Sequence, residues 1–429
     1  MDVLLIVGAV LGGLIVVVCF LVGAGHLTRG TPVTTIRILD DPAPPAVASE
    51  EFVRLVRAVG HAPIGPGNCA EVLTDGDGTY PRLFADLRSA RESITLHLYY
   101  CQPGRMADQF QEILIDRARA GVDVFFLRDA FGSQKLTKEY VRTLEAGGVH
   151  VRSFRPTHWY ELHKAQHRSH TRVIVIDGRI GYTGGFGVDD KWFGDGTNGG
   201  WRETNVRFTG PAVADHQAIF IAGWAEAAGD LLVSRNLLPP LDPEPDGILA
   251  GAIHASPTAG STVGERLLAL TIAGARERLW IANAYFVPDD DFRRLLIGAV
   301  RRGVDVRVLT AGDKNDTRVT RYASLHRYEG LLAGGVRIFE YQPSMMHAKT
   351  FAVDGVWSII GSMNFDNRSF ALNDESVFVA HDRRVCADLE RLFGVDLSRS
   401  REITLAEWRR RPFHQRVLER GATMFSRVL

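Results

Sequence analysis

The sequence is internally duplicated, and the duplication constrains the fold more than any other feature. In one copy, Ala90-Arg91-Glu92 leads into an apolar run from Ile94 to Tyr100, a helical stretch and then Gly121-Val122-Asp123-Val124. In the other, Ala275-Arg276-Glu277 leads into Leu279 to Phe286, a helical stretch and Gly303-Val304-Asp305-Val306. Gly147-Gly148-Val149 and Gly334-Gly335-Val336 each precede a further apolar strand. Such self-similarity marks two copies of one structural unit. Each copy reads strand, helix, strand, helix, strand, which predicts an α/β unit with a largely parallel sheet covered by helices. Two such units are expected to pack about a pseudo-twofold axis, with a site in the seam.

Proline-rich stretches punctuate the chain. Asp40 to Ser49 reads as a stiff spacer, and Pro239 to Gly247 separates the two copies. The expected organisation is an anchor over 1–29, a linker over 30–49, a first domain over 50–236, a linker over 237–247 and a second domain over 248–429. Phe52, Leu55, Val56 and Val59 follow helical spacing, so a short amphipathic helix should open the first domain.

From Val3 to Gly25 no residue is charged. At about 1.5 Å per residue the run is long enough to cross a ~30 Å hydrocarbon layer. Only Asp2 precedes it, whereas a cleaved signal normally has a basic start, so an uncleaved single anchor is expected. Gly23, Ala24 and Gly25 keep a cleavage site open as the alternative. Arg29 and Arg37 favour a cytoplasmic position for the C-terminal side of the anchor.

Charge restricts the partners. Fifty Lys+Arg balance fifty Asp+Glu, so a polyanion binder working by bulk charge is excluded, and any phosphate recognition must be local. The four cysteines form no C-x-x-C pair and read as free thiols.

Each copy then carries one polar motif. His170-Thr171-Arg172 is followed by Val173 to Ile176 and Asp177; His347-Ala348-Lys349 is followed by Thr350 to Val353 and Asp354. Both read His-x-(basic)-x4-Asp. On a strand, residues two apart share a face, so each histidine lies beside its cation. Each motif leads into a turn, Thr183-Gly184-Gly185 or Gly361-Ser362-Met363-Asn364, whose backbone and hydroxyl donors suit an anionic oxygen. Two imidazoles and two fixed cations are the parts needed for phosphoryl transfer through a covalent phosphohistidine.

These residues resemble the phospholipase D superfamily, whose signature is a duplicated His-x-Lys-x4-Asp, and within it bacterial cardiolipin synthases. The resemblance runs from about Val72 to the C-terminus. It includes Ala284-Tyr285-Phe286-Val287-Pro288, Arg368-Ser369-Phe370, Leu372-Asn373-Asp374-Glu375, Tyr182-Thr183-Gly184-Gly185 and Trp201-Arg202-Glu203. It implies two tandem α/β/α domains and a membrane-bound phosphatidyltransferase that joins two phosphatidylglycerols and releases glycerol, with no cofactor, no metal and no obligatory nucleic acid. The implied catalytic set is His170, Arg172, Asp177, His347, Lys349 and Asp354. His170 is the nucleophile, His347 the general acid and base, Arg172 and Lys349 the phosphate clamps, and Asp177 and Asp354 structural supports. Glu203 and Glu375 orient the histidines, Asn364 helps the phosphate clamps, and Ser362 is a substrate-binding or orienting residue.

The chain departs from the family where Arg172 replaces a Lys, and the loop Phe186-Gly187-Val188-Asp189-Asp190-Lys191 lacks the Asn that many relatives carry after the Gly pair. A hydrolase using water, and a catalytically impaired membrane scaffold, remain alternatives. Oligomeric state is not readable. His158, His163, His167 and His170 raise a zinc cluster as a minor reading, and Asp189, Asp190 and Asp195 a calcium loop; a polar rim and a solvated loop are preferred. Asp75-Gly76 reads as a plain turn. Trp408-Arg409-Arg410-Arg411-Pro412-Phe413 reads as a solvated helix end, or as a contact for anionic headgroups.

Overall fold

The computed structural model describes residues 43–156, 167–256 and 263–412, and before them residues 8, 12, 13, 16, 17, 20, 33, 36 and 39. The expected anchor therefore falls almost wholly outside the described residues. Among those described, no helix is long and apolar enough to cross a membrane.

The first copy contributes β1 (Gly65–Thr74), β2 (Ser93–Leu98), β3 (Asp123–Asp129), β4 (His150–Phe154), β5 (Arg168–Ser169), β6 (Arg172–Ile176), β7 (Ile180–Gly184) and β8 (Thr204–Thr209). The second contributes β9 (Ile248–Ala255), β10 (Arg278–Asn283), β11 (Asp305–Ala311), β12 (Arg337–Tyr341), β13 (Lys349–Val353), β14 (Trp357–Gly361), β15 (Asn373–His381) and β16 (Ser400–Ile403). They form one sheet, in the order β16-β12-β11-β10-β13-β14-β15-β9-β1-β8-β7-β6-β2-β3-β4, with the short β5 beside β15. Read outward from the β1–β9 pair, the two halves run through corresponding strands in the same order. The pseudo-twofold axis thus passes between β1 and β9, which pair antiparallel.

The sheet is mixed, which corrects the largely parallel expectation. Among the described residues, β2-β3-β4 and β10-β11-β12 are parallel, joined by helices as crossovers require, and the short β5 runs parallel to β15. The remaining strands of each half pair antiparallel. The cause lies in the motif itself. Asp177-Gly178 and Asp354-Gly355 all take positive φ, 53° and 62° in one copy and 50° and 67° in the other. Two successive positive-φ residues make the turn that folds a strand back on itself, and Asp-Gly is a favoured pair for it. The motif strand is therefore half of a hairpin, not a step in a helical crossover.

The amphipathic helix at the start of the first domain runs Glu50–Val59, capped by Ser49, with Phe52, Val53 and Val56 buried. The two halves are clasped reciprocally. The helix Ala212–Ala228, which follows β8, packs on β9; the helix Arg383–Ser398, which follows β15, packs on β1. Phe208 and Phe378 meet at 4.7 Å in the shared core. Asp75-Gly76 is not a plain turn: Asp75 opens the helix Asp75–Ser89 at φ 56°, with its carboxylate turned to Arg202 and to the Glu203 backbone.

Candidate active site

The folded chain brings both motifs to the seam. His170 and His347 precede β6 and β13 and are buried, with 6% and 4% of their surface exposed. Each is tied to the opposite half by its own backbone: His170 N–H donates to Asp374 C=O at 2.8 Å, and His347 N–H to Arg202 C=O at 2.7 Å.

The imidazoles are oriented reciprocally. His170 Nδ1 lies 2.9 Å from Glu375 Oε2. Glu203 is the corresponding partner of His347. Carboxylates accept, so each Nδ1 carries the proton and each Nε2 keeps its lone pair. Cations stand at the free nitrogens. Arg172 Nη1 is 3.1 Å from His170 Nε2, and Lys349 Nζ is 3.1 Å from His347 Nε2. Burial and these neighbouring cations hold both imidazoles well below their usual range, so they are neutral at pH 7. Burial pushes Glu203 and Glu375 up to about 7 and Lys349 down to about 7.

The two half-sites differ in how each glutamate is held. Ser362 Oγ donates to Glu375 Oε2 at 2.5 Å. The corresponding residue is Gly185, where a Cβ would lie 2.4 Å from Glu203 Oε2. Glu203 instead accepts from Trp192 Nε1 at 3.3 Å and from Thr204 N–H at 3.0 Å. Of the two roles expected for Ser362, this contact is the orienting one: its hydroxyl holds the glutamate. Arg172 is also braced differently from Lys349. Its Nε donates to Phe186 C=O at 2.7 Å, so the guanidinium is fixed at both ends. Asn364 lies in the seam with its Oδ1 buried and unpartnered among the described residues.

Asp177 and Asp354 close the far end of each motif. Asp177 accepts from the N–H groups of Arg91, Glu92 and Ser93, at 3.1, 2.8 and 2.9 Å. Asp354 accepts from Arg276, Glu277 and Arg278, at 2.7, 2.9 and 2.8 Å. The repeated Ala-Arg-Glu and the repeated Asp are two parts of one joint. These carboxylates are fully used there and are not part of the reacting centre.

Within Trp201-Arg202-Glu203 and Asn373-Asp374-Glu375, the sequence points only to the glutamates. The residues just before them form buried interdomain ion pairs of opposite sign. Arg202 pairs across the halves with Asp396 at 2.8 Å, and within its own half with Asp75 at 3.3 Å; Asp374 pairs across the halves with Arg155 at 2.7 Å. The signal that could have found them is a charged residue adjoining each orienting glutamate at the start of an otherwise buried strand.

The minor candidates resolve individually. His158 and His163 lie outside the described residues, and His167 Nδ1 faces Leu372 C=O at 3.3 Å. Among the described residues no group of side chains is placed to hold a metal ion. Asp189, Asp190 and Asp195 do not converge; each caps backbone N–H groups near its own position or at the start of the helix Arg105–Arg119. Trp408 packs on Tyr328 at 4.9 Å rather than facing solvent, and Phe413 lies outside the described residues. Cys69, Cys101 and Cys386 are free thiols.

Comparison with known proteins agrees with this geometry. The family described as cardiolipin synthase, PLD-like domain, matches residues 83–224 and 268–397. The chain is 34% identical to a cardiolipin synthase of Alkalihalophilus pseudofirmus over 88% of its own length and 75% of that protein's. It is 33% identical to a cardiolipin synthase A of Pseudomonas entomophila, over 88% and 78%. In three dimensions it resembles the phosphatidylserine synthase of Haemophilus influenzae, with TM-score 0.69 and 14% identity, over 89% of this chain and all of that one.

Proposed function

The chain belongs to the cardiolipin synthase, PLD-like family, and from that premise we propose that it transfers a phosphatidyl group from one phosphatidylglycerol to a second, forming cardiolipin and releasing glycerol. The observation that carries the reading is the pair of buried imidazoles, each with Nδ1 held by a glutamate of the opposite half and Nε2 beside a fixed cation.

In this reading the lipid phosphate enters between Arg172 and Lys349, which offset the charge on its non-bridging oxygens. Burial and the cations Lys349, Arg172 and Lys191 depress His347; the phosphate's negative charge offsets those cations, so that imidazole takes up a proton. His170 Nε2 attacks phosphorus. The bond from phosphorus to the glycerol oxygen breaks, and His347 gives its proton to the leaving alkoxide. The hydroxyl of a second phosphatidylglycerol then yields its proton to His347 as its oxygen attacks phosphorus. The phosphorus–nitrogen bond breaks and His170 is restored. Glu375 and Glu203 stabilise the imidazolium forms as they arise. Asn364, with its free Oδ1, is placed to meet the acceptor or a phosphate-bound hydroxyl. The apolar run from Val3 to Gly25 supplies the membrane attachment in this reading, with the catalytic halves on the cytoplasmic face.

Incubating the full-length protein with phosphatidylglycerol in mixed micelles tests the proposal. Cardiolipin and glycerol are expected in equal amounts. Phosphatidic acid as the main product would make it a hydrolase, and no turnover would favour the scaffold.

A further inference from the structure

One cation of the seam neither clamps the phosphate nor carries a proton in the chemistry above. Lys191 follows Asp190 in the loop between β7 and β8. Its ammonium sits 3.6 Å from the centre of the Tyr100 ring, 3.8 Å from that of Trp201 and 4.6 Å from that of Trp192. Two of these rings also touch the acid–base histidine: Trp201 lies 4.9 Å and Trp192 5.5 Å from the His347 ring. Tyr285 completes that wall at 6.2 Å.

Three aromatic rings around one ammonium form the arrangement by which proteins bind choline and methylated ammonium groups. Here the protein's own side chain fills it. The cage is partly open to solvent, since Tyr100, Lys191 and Trp201 are all half-buried. With Trp201 and Trp192 against the His347 ring, a headgroup at His347 lies beside this wall.

We propose that Lys191 is a specificity-determining residue: its ammonium occupies the Tyr100–Trp192–Trp201 cage beside His347 and excludes cationic phospholipid headgroups, leaving the half-site to uncharged polyol headgroups such as glycerol. The inference rests on the phosphatidyl-transfer reading above. Its physical content is discrimination by repulsion, in which the wrong ligand meets a like charge and the right one does not. The attraction of the rings is already satisfied by Lys191, so an incoming ammonium meets the charge without the compensating π-faces. Burial brings the Lys191 ammonium down only to about 8, with Asp189 and Asp316 opposing the shift, so it stays charged at neutral pH. Arg172 and Lys135 are the other charges acting on it.

The test compares glycerol release from phosphatidylglycerol with choline release from phosphatidylcholine, in mixed micelles holding both lipids equally, for the wild-type chain, K191A, K191M and K191R. Wild type and K191R should release glycerol almost exclusively. K191A and K191M should raise choline release relative to glycerol at least tenfold. K191M keeps the side-chain length and carries the test if K191A does not fold. A ratio that moves less than tenfold in the active uncharged variants, while wild type releases glycerol, overturns the inference and leaves the transfer reading intact. A wild-type chain that releases glycerol from no lipid overturns both.

Discussion

His347 Nδ1 and Glu203 Oε2 lie 2.6 Å apart, although 144 residues separate them in the chain. The contact fixes which nitrogen of His347 carries the proton, and it can form only when the two halves are assembled. The half-sites are therefore not two independent active sites. Each supplies the reacting imidazole for one role and the orienting carboxylate for the other.

Replacing Glu203 by Gln keeps the shape but lets the amide donate, so His347 can settle into the wrong tautomer. By analogy with the orienting carboxylate of a catalytic triad, kcat should fall by roughly 10³–10⁴. KM should change little, because the carboxylate does not face the phosphate. Steady-state rates of E203Q with phosphatidylglycerol check this, and a variant within tenfold of wild type would remove Glu203 from the mechanism.

Arg172 takes in the first motif the place of Lys349 in the second, with its fork spread between His170 Nε2 and Phe186 C=O. A Lys at this position retains the charge but gives up the Phe186 bond. R172K should thus keep activity within about tenfold, or ~1.4 kcal/mol of barrier. R172A should lose about 10²–10³ in rate, as removal of one fixed donor typically does. Wild type inactive and R172K active would identify Arg172 as the impairing substitution.

Much of this site is legible in the sequence, because catalysis demands residue types at fixed strand spacing. His170 with Arg172, and His347 with Lys349, can be read as shared faces of two strands. The relationships that depend on closing the seam cannot. Glu375 sits 205 residues from His170, and no local pattern encodes that distance. The same holds for the ion pair of Arg202 with Asp396. The direction of the motif strands is obscured for a different reason: strand–helix alternation points to a parallel crossover, and the turn chemistry of Asp177-Gly178 overrides it.

Lys349 makes the alkaline limb of the pH profile specific. Burial brings its ammonium from 10.5 down to about 7, so the free enzyme loses this charge as pH rises through that value. The clamp is complete below it and weakened above. kcat/KM should therefore decline above about pH 7 in the wild type. K349R holds a charge that does not titrate in this range, so its decline should move to higher pH even if its peak rate is lower. Profiles that superimpose would assign the limb to another group.

Arg202 buries its guanidinium between Asp396 and Asp75. R202M would leave the two buried carboxylates without their counter-ion, at a cost of about 3–5 kcal/mol in unfolding free energy. Burial already raises Asp75 from 3.8 to about 6, so its share of the penalty grows as pH rises from the unfolded value to the folded one and vanishes once Asp75 is protonated. Denaturant melts at pH 4 and pH 7.5 should show the larger loss at pH 7.5; an equal loss would mean that packing, not charge, is at stake.

Two side-chain cations already stand where a divalent ion would offset phosphate charge. Activity in excess chelator should match that in its absence. Loss that zinc restores would return the histidine cluster to consideration.

The central claim is that one specific imidazole takes the phosphatidyl group. Phosphatidylglycerol labelled at phosphorus, quenched during turnover and followed by peptide mapping, measures this directly. The label is expected on the peptide containing His170, to persist in H347A with an activated leaving group, and to be absent from H170A. Label carried by His347 in the H170A protein would contradict the assignment and exchange the roles of the two halves.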